Sequence, residues 1–387
     1  MLTSVDPQAA TAAYIDSLGV DALAQATAYT QGNHWLLVVS LVVAGLNCWL
    51  FVRLDILGRL NQLLASRLRA LRVFLLCGTY FLVTSIVTMP LAIYAGWWRE
   101  IYYNRTSQLF GDFLNQTLLG TAISAVLGGL FFLLLYELIR RAGQRWWVWS
   151  GVMTALALSI LLLISPILIE PLFNQYQPVP AGQVQDELRK LAARAQIPVD
   201  RIFIYDGSRQ SNNFTANVSG IGSSARIAIS DVALSSATLD EVKAVTAHEV
   251  GHYVLGHIWY IVGLYALLAI MFFFISARSF GLFARLFGLQ APLESAVGLP
   301  VLMFIISLLG FLGEPITNSL IRTNELAADH YSLKAVRLPD AMAGALVKTA
   351  EYRDPRPHPL QEFLFYTHPS VERRVLMAMQ WKAEHGG

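Results

Sequence analysis

Charge is scarce in this 387-residue chain: Asp, Glu, Lys and Arg together make up 14% of it, where a soluble globular domain carries about 25%. With 55% hydrophobic residues and a mean hydropathy of +0.50, the deficit points to lipid as part of the solvent. Cysteine is nearly absent. The two present, Cys48 and Cys77, lie inside apolar stretches, which excludes a disulfide framework and a thiolate metal site. The formal net charge is only +2, and no basic run is interleaved with aromatics, so a nucleic-acid partner is excluded. The first 33 residues contain no Lys or Arg. The charged start of a secretory signal is therefore lacking, and the first apolar run reads as a retained membrane helix.

What the chain does have is long apolar runs. A bilayer core takes about 20 apolar residues per helix. Runs at 36–52, 73–97, 118–138, 146–172, 258–275 and 297–312 give about six spans, with Pro90 as a kink in the second. Trp35, Trp97, Trp98, Trp146, Trp147 and Trp149 stand at span ends, where an indole prefers the interface. The expected organisation is an N-terminal segment (1–33), four membrane helices (34–172), an extramembrane segment (173–257), two further membrane helices (258–323) and a C-terminal extramembrane part (324–387). Within the first extramembrane segment, Gln183 to Ala195 reads as a helix, and RIFIYD and ARIAIS read as short strands that pair. The loop between them, GSRQSNNFTANVSGIGSS, is polar. Thr238-Leu239-Asp240-Glu241 opens a helix running through residues 239–256. The fold class is mostly α: a polytopic membrane helix bundle or α-barrel with an extramembrane domain holding a small β-hairpin or sheet.

That last helix carries His248-Glu249-Val250-Gly251-His252. Histidines four apart project from one helix face and can chelate one Zn2+ per chain. Glu249 lies about 100° round from His248, placed to take a proton from a zinc-activated water. A helix whose histidines merely pack is the bland alternative. A catalytic zinc needs a third protein ligand. His257 falls five residues after His252, rotated by about 140°, and reads as a structural or interfacial histidine. A carboxylate suits better. Asn318, Arg322, Glu325 and Asp329 fall at i, i+4, i+7 and i+11 on one face of the helix continuing from the sixth span. Such a polar stripe beside a membrane span needs partners. Glu325 as ligand, and Asp329 as acceptor for the N–H of a ligating histidine, would supply them. Arg322 and Asn318 are expected beside them. Asn115, Gln116 and Glu314 sit in or beside spans and need a wet or protein-lined neighbour.

HEVGH, then Asn318, Arg322, Glu325, Ala328 and Asp329, then Thr367-His368-Pro369, resembles the type I CAAX prenyl endopeptidase family of membrane zinc proteases. Pro171-Leu172-Phe173-Asn174, Pro178, Pro180, the GSRQSNNFTANVSG loop, Arg226-Ile227 and Asp231 extend the resemblance upstream to about residue 70. It implies that His248, His252 and Glu325 bind zinc, that Glu249 is the general base and that His368 donates to the developing oxyanion. It also implies that Asn217 and the loop around it, with Thr215 and Asn213, line a substrate groove to which an extended peptide adds as a strand. The loop departs from its eukaryotic counterparts, which carry a Ser-His-Ser-Asn-Ala-Tyr type of sequence where this chain has Asn212 to Asn217.

The expected activity is endoproteolysis of peptide or protein substrates, lipid-modified tails among them, by a protein in contact with membrane lipids. Composition suggests a bacterial inner membrane, where quality control of unmodified peptides is the alternative task. A non-catalytic zinc scaffold needs no Glu249, and a transporter would place its ligands at span midplanes in matched repeats. On sidedness two arguments collide. The chain starts one helix later than seven-span relatives, which places the catalytic segment in the cytoplasm by analogy. Arg53, Arg59, Arg67, Arg69 and Arg72 after the first span, and Arg140, Arg141 and Arg145 after the third, argue for the opposite side. The expectation taken from the resemblance is a cytoplasmic catalytic face.

Overall fold

A computed structural model describes residues 6–349 and 353–386. Its long helices are α2 (Val20–Arg53), α4 (Arg69–Ile93), α5 (Phe110–Ala142), α6 (Trp146–Ile164), α9 (His257–Phe287) and α10 (Leu299–Val336). Shorter ones are α1 (Pro7–Asp16), α3 (Ile56–Leu63), α7 (Gln183–Arg194), α8 (Leu239–Val254), α11 (Pro339–Lys348), α12 (Pro359–Phe365) and α13 (Val371–His385).

Among the described residues, five helical runs are long and apolar enough to cross a membrane. One of them, Phe110–Phe173, has 64 residues and would measure about 95 Å if straight, some three times a bilayer core. It is instead two helices. Gly143, at φ +53°, opens a tight turn over Gly143–Arg145, and the chain reverses there. Both outer ends return to the same place: Asp112 at the start of α5 meets Arg209, and Glu170 beyond α6 meets Arg226. About six crossings result. Wide helical turns at Tyr94–Trp98 and Ser165–Ile169 accompany Pro90 and Pro166, each of which removes a helix hydrogen bond.

The bundle turns apolar side chains outward: Ile86, Leu156, Leu267 and Leu312 are exposed, as lipid-facing residues should be. Its core joins Phe51, Leu76, Phe132, Leu135, Phe273, Leu299 and Ile305. Gly151 lets α6 approach α9 closely, since a Cβ there would lie 2.4 Å from Ile270.

Four short strands, β1 (Tyr176–Pro178), β2 (Ile202–Tyr205), β3 (Ala216–Ser219) and β4 (Arg226–Ser230), form one sheet in the order β1-β2-β4-β3. RIFIYD and ARIAIS do pair, but in parallel, with Ile202 opposite Ile227. The hairpin partner of β4 is β3, which arises inside the polar loop and lies antiparallel at the sheet edge. The sheet packs on α7 and α8 through Leu188, Ile227, Ile229, Val242 and Val250. Residues of the N-terminal segment fold as α1, whose Ile15 is buried with Met342, Val371 and Val375 of α11 and α13. The N- and C-terminal helices therefore close the same end of the molecule.

Candidate metal centre

The helix bearing HEVGH starts where Thr238 and Glu241 cap one another: the Thr238 N–H donates to Glu241 Oε2 (2.7 Å) and the Glu241 N–H to Thr238 Oγ1 (3.3 Å). It lies tight against α10. A Cβ at Gly251 would sit 3.1 Å from Tyr331, so the glycine inside the motif permits the close approach. The Ser332 hydroxyl donates to the Ala244 carbonyl across the same contact (2.7 Å).

This packing brings Glu325 to the two imidazoles. Nε2 of His248 and Nε2 of His252 are 3.1 Å apart. Glu325 Oε2 lies 3.3 Å from the first, and Oε1 lies 3.5 Å from the second. A tetrahedral ion with bonds of about 2.0–2.1 Å to N or O sets its ligand atoms about 3.3 Å apart. The imidazole edge is close to that, and the two carboxylate edges run one to each oxygen of Glu325. Glu325 Oε2 is buried and makes no aligned hydrogen bond, although His248 Nε2 and His368 Nε2 lie 3.3 and 3.1 Å away, so its lone pairs are available to a cation. The donor set of two imidazoles and one carboxylate, with all ligand atoms within 4.8 Å of one another, suits a divalent metal with a position left open.

Surrounding groups hold this set. Asp329, fully buried, lies 2.7 Å from His248 Nδ1 and accepts from Arg374 Nε (2.7 Å) and Nη2 (2.6 Å). His257 Nδ1 is 2.9 Å from His252 Nδ1, so each ring is fixed through the nitrogen pointing away from the cluster. Burial alone would depress the His248 imidazole, but Asp329 and Glu325 overcome it and push the ring up to about 9. At His248 the two carboxylates therefore favour the charged ring. Burial pushes the Glu249 carboxyl above its ordinary range against the pull of the two imidazoles.

His368 approaches from the loop before α13: its Nε2 is 3.1 Å from Glu325 Oε2, and its Nδ1 is 2.9 Å from Thr367 Oγ1. The polar stripe on α10 divides in its work. Glu325 and Asp329 face the imidazoles. Arg322 instead donates to the backbone carbonyls of Glu362 (2.9 Å) and Tyr366, and Asn318 to that of Leu364 (3.1 Å). Those two residues hold the α12 segment that carries His368 and do not reach the histidine pair.

A cavity of about 210 Å3 opens beside His248, Glu249 and His368, lined by Thr215, Val245, Met342 and Leu346 among others. Of the three loop residues expected to line a groove, Thr215 lines this cavity. Asn213 lines a neighbouring one of about 360 Å3 and accepts from Arg105. Asn217 stands on β3 opposite Ala228, its Oδ1 buried without a partner. The sequence reading missed Arg374 and the contact of His257. The first has no local signal; the second was announced by Gly256, whose φ of +69° ends α8 and turns the chain back.

A two-histidine, one-glutamate centre on packed helices, continuous with a six-crossing bundle, defines a membrane-embedded metallopeptidase of the HExxH type. The chain belongs to peptidase family M48, whose pattern matches residues 178–382. A second pattern, the CAAX prenyl protease N-terminal region with five membrane helices, matches residues 7–175. The chain is 27% identical to the uncharacterized metalloprotease YhfN of Bacillus subtilis over 76% of its own length and 70% of the relative's. It is 27% identical to a CAAX prenyl protease 1 homolog of Arabidopsis thaliana with the same coverage. The crystal structure of S. mikatae Ste24p shares the fold, with TM-score 0.76 over 93% of this chain and 88% of that one at 20% identity. The protein is an integral-membrane metalloendopeptidase.

Proposed function

We propose that the metal is zinc, one per chain, held by His248, His252 and Glu325, and that the substrate is an extended peptide lying along β3. The single observation carrying this reading is the convergence of the three groups: the imidazole Nε2 atoms are 3.1 Å apart, and each has one oxygen of the Glu325 carboxylate at 3.3 or 3.5 Å, near enough for one ion to be held by all three. Zinc bound there supplies Lewis acidity that polarises a peptide carbonyl and acidifies a water at neutral pH. Glu249, at the edge of the cavity, takes the proton of the attacking water and returns it to the leaving amine. The Nε2–H of His368 donates to the oxyanion as the carbonyl becomes tetrahedral. The Thr367 hydroxyl, 2.9 Å from Nδ1, can donate there, and that tautomer carries the ring proton on Nε2, facing the reaction.

β3 is an edge strand with free backbone groups on its outer side, so an added peptide gains main-chain hydrogen bonds there. Asn217 stands on this strand and borders the added peptide. An aliphatic side chain of the peptide enters the 210 Å3 cavity against Val245, Met342 and Leu346. A lipid-modified tail, suggested by the relatives named CAAX prenyl protease, has room in a cavity of about 420 Å3 between α2, α4 and α10. The Bacillus relative supports a bacterial cytoplasmic (inner) membrane.

The test is Glu249→Gln in detergent, with zinc content and cleavage of an apolar peptide both measured. Zinc should stay and cleavage should fall by several orders of magnitude. Cleavage that persists with zinc retained would remove Glu249 from the mechanism.

A further inference from the structure

The fold gathers at one end of the bundle the arginines that the sequence scatters over several loops. Arg53 closes α2, Arg59 lies on α3, Arg67, Arg69 and Arg72 lead into α4, Arg140 and Arg141 close α5, Arg145 lies in the turn to α6, and Arg278 and Arg285 close α9. These are ten of the chain's 28 Lys and Arg residues, and all but Arg72 are exposed. Only Asp55, Glu137 and Glu294 oppose them in the same connections. This end is the one away from the metal centre, because the opposite ends of these helices are tied to the sheet and the terminal helices. Asp112 meets Arg209 there, Glu170 meets Arg226, and Tyr29 donates to Glu100.

On the metal-centre side, the one short connection between spans, residues 94–109, carries two arginines, Arg99 and Arg105. Both are buried against Glu100. The N-terminal residues 6–33 on that side carry three aspartates and no Lys or Arg. Short loops decide orientation, whereas long extramembrane segments cross largely regardless of their charge. The metalloprotease domain is of the second kind, so its own charges carry no weight. Over the short connections between spans, where the charge rule is strongest, the arginines stand ten against two.

We infer that the arginine-bearing end seats on the anionic cytoplasmic leaflet and that the metal centre opens on the opposite side of the membrane. This reverses the side implied by the resemblance. Joined to the peptidase reading, on which this last step rests, it names the substrate class as polypeptide segments exposed outside the cytoplasm, such as exported or membrane-anchored chains.

Orientation is read without turnover. In a chain with Cys48→Ala and Cys77→Ala, single cysteines are placed at Leu63, 79% exposed at the arginine-bearing end, and at Val199, 44% exposed in the sheet domain. Intact spheroplasts are then treated with a membrane-impermeant maleimide. Val199→Cys should label in intact spheroplasts and Leu63→Cys only after lysis; the reverse pattern overturns the inference. Should the cysteine-free chain fail to fold, fusions at the C-terminus of the natural sequence report the same thing. Alkaline phosphatase there should be active and green fluorescent protein dark, and a fluorescent fusion with inactive phosphatase overturns it. Absence of peptidase activity from the detergent-purified protein would sink the peptidase reading and leave the orientation result standing.

Discussion

Nδ1 of His257 lies 2.9 Å from Nδ1 of His252, although five residues along an unbroken helix would turn the two rings about 140° apart. The break at Leu255-Gly256 makes the contact, and it anchors the His252 ring from behind. His257→Ala should weaken zinc binding about 10–100-fold, the usual cost of removing a partner that orients a ligand. Competition with a chelator measures this directly. Unchanged affinity would make His257 a packing residue only.

Asp329 does two jobs, orienting His248 and neutralising buried Arg374. Asp329→Asn should cost about 3–5 kcal/mol, as breaking one half of a buried ion pair does, and should also lower zinc content. Adding Arg374→Met should recover stability, read as the unfolding temperature in detergent, without recovering zinc affinity. Recovery of both together would show that Asp329 acts on the fold alone.

Gly251 is a point of close approach between α8 and α10. Gly251→Val should drive Tyr331 aside at about 1–3 kcal/mol and separate Glu325 from the imidazoles. Zinc loading then falls, and Tyr331→Ala in the same chain should restore it by making room. Full loading of the single variant would contradict this account of the interface.

Burial, reinforced by Arg353, pushes the His368 imidazole down to about 3. A histidine depressed this far takes up its proton only below that pH, so it stays neutral between pH 5 and 8. His368→Ala should therefore lower kcat by about 10²–10³-fold, the usual worth of an oxyanion donor, and by the same factor at each pH in that window. A ratio of wild-type to variant rates that changes across the window would show that His368 titrates there.

The legible parts of the site were those written in local periodicity. His248 and His252 are four apart on a capped helix, and the stripe through Glu325 and Asp329 repeats at helical spacing, so one helix wheel displays each. What the stripe does was not legible. Arg322 and Asn318 turn to backbone carbonyls of residues 362–366, a partnership set by long-range packing. Arg374 reaches Asp329 from a helix 45 positions away with no pattern to mark it. β3 escaped notice because its sequence, Ala-Asn-Val-Ser, has little strand character of its own and is held by pairing with buried β4. The six crossings followed from hydropathy, yet the N-terminal segment's docking through Ile15 depends on a surface built by the last residues of the chain.

The central claim is that α8 and α10 share one ion. Anomalous diffraction at the zinc edge, on crystals of the purified protein, tests it most directly. One peak should lie about 2.0–2.2 Å from His248 Nε2, His252 Nε2 and a Glu325 carboxylate oxygen. A peak bound elsewhere, or zinc-loaded crystals with Glu325 well outside bonding distance of the ion, would contradict the account.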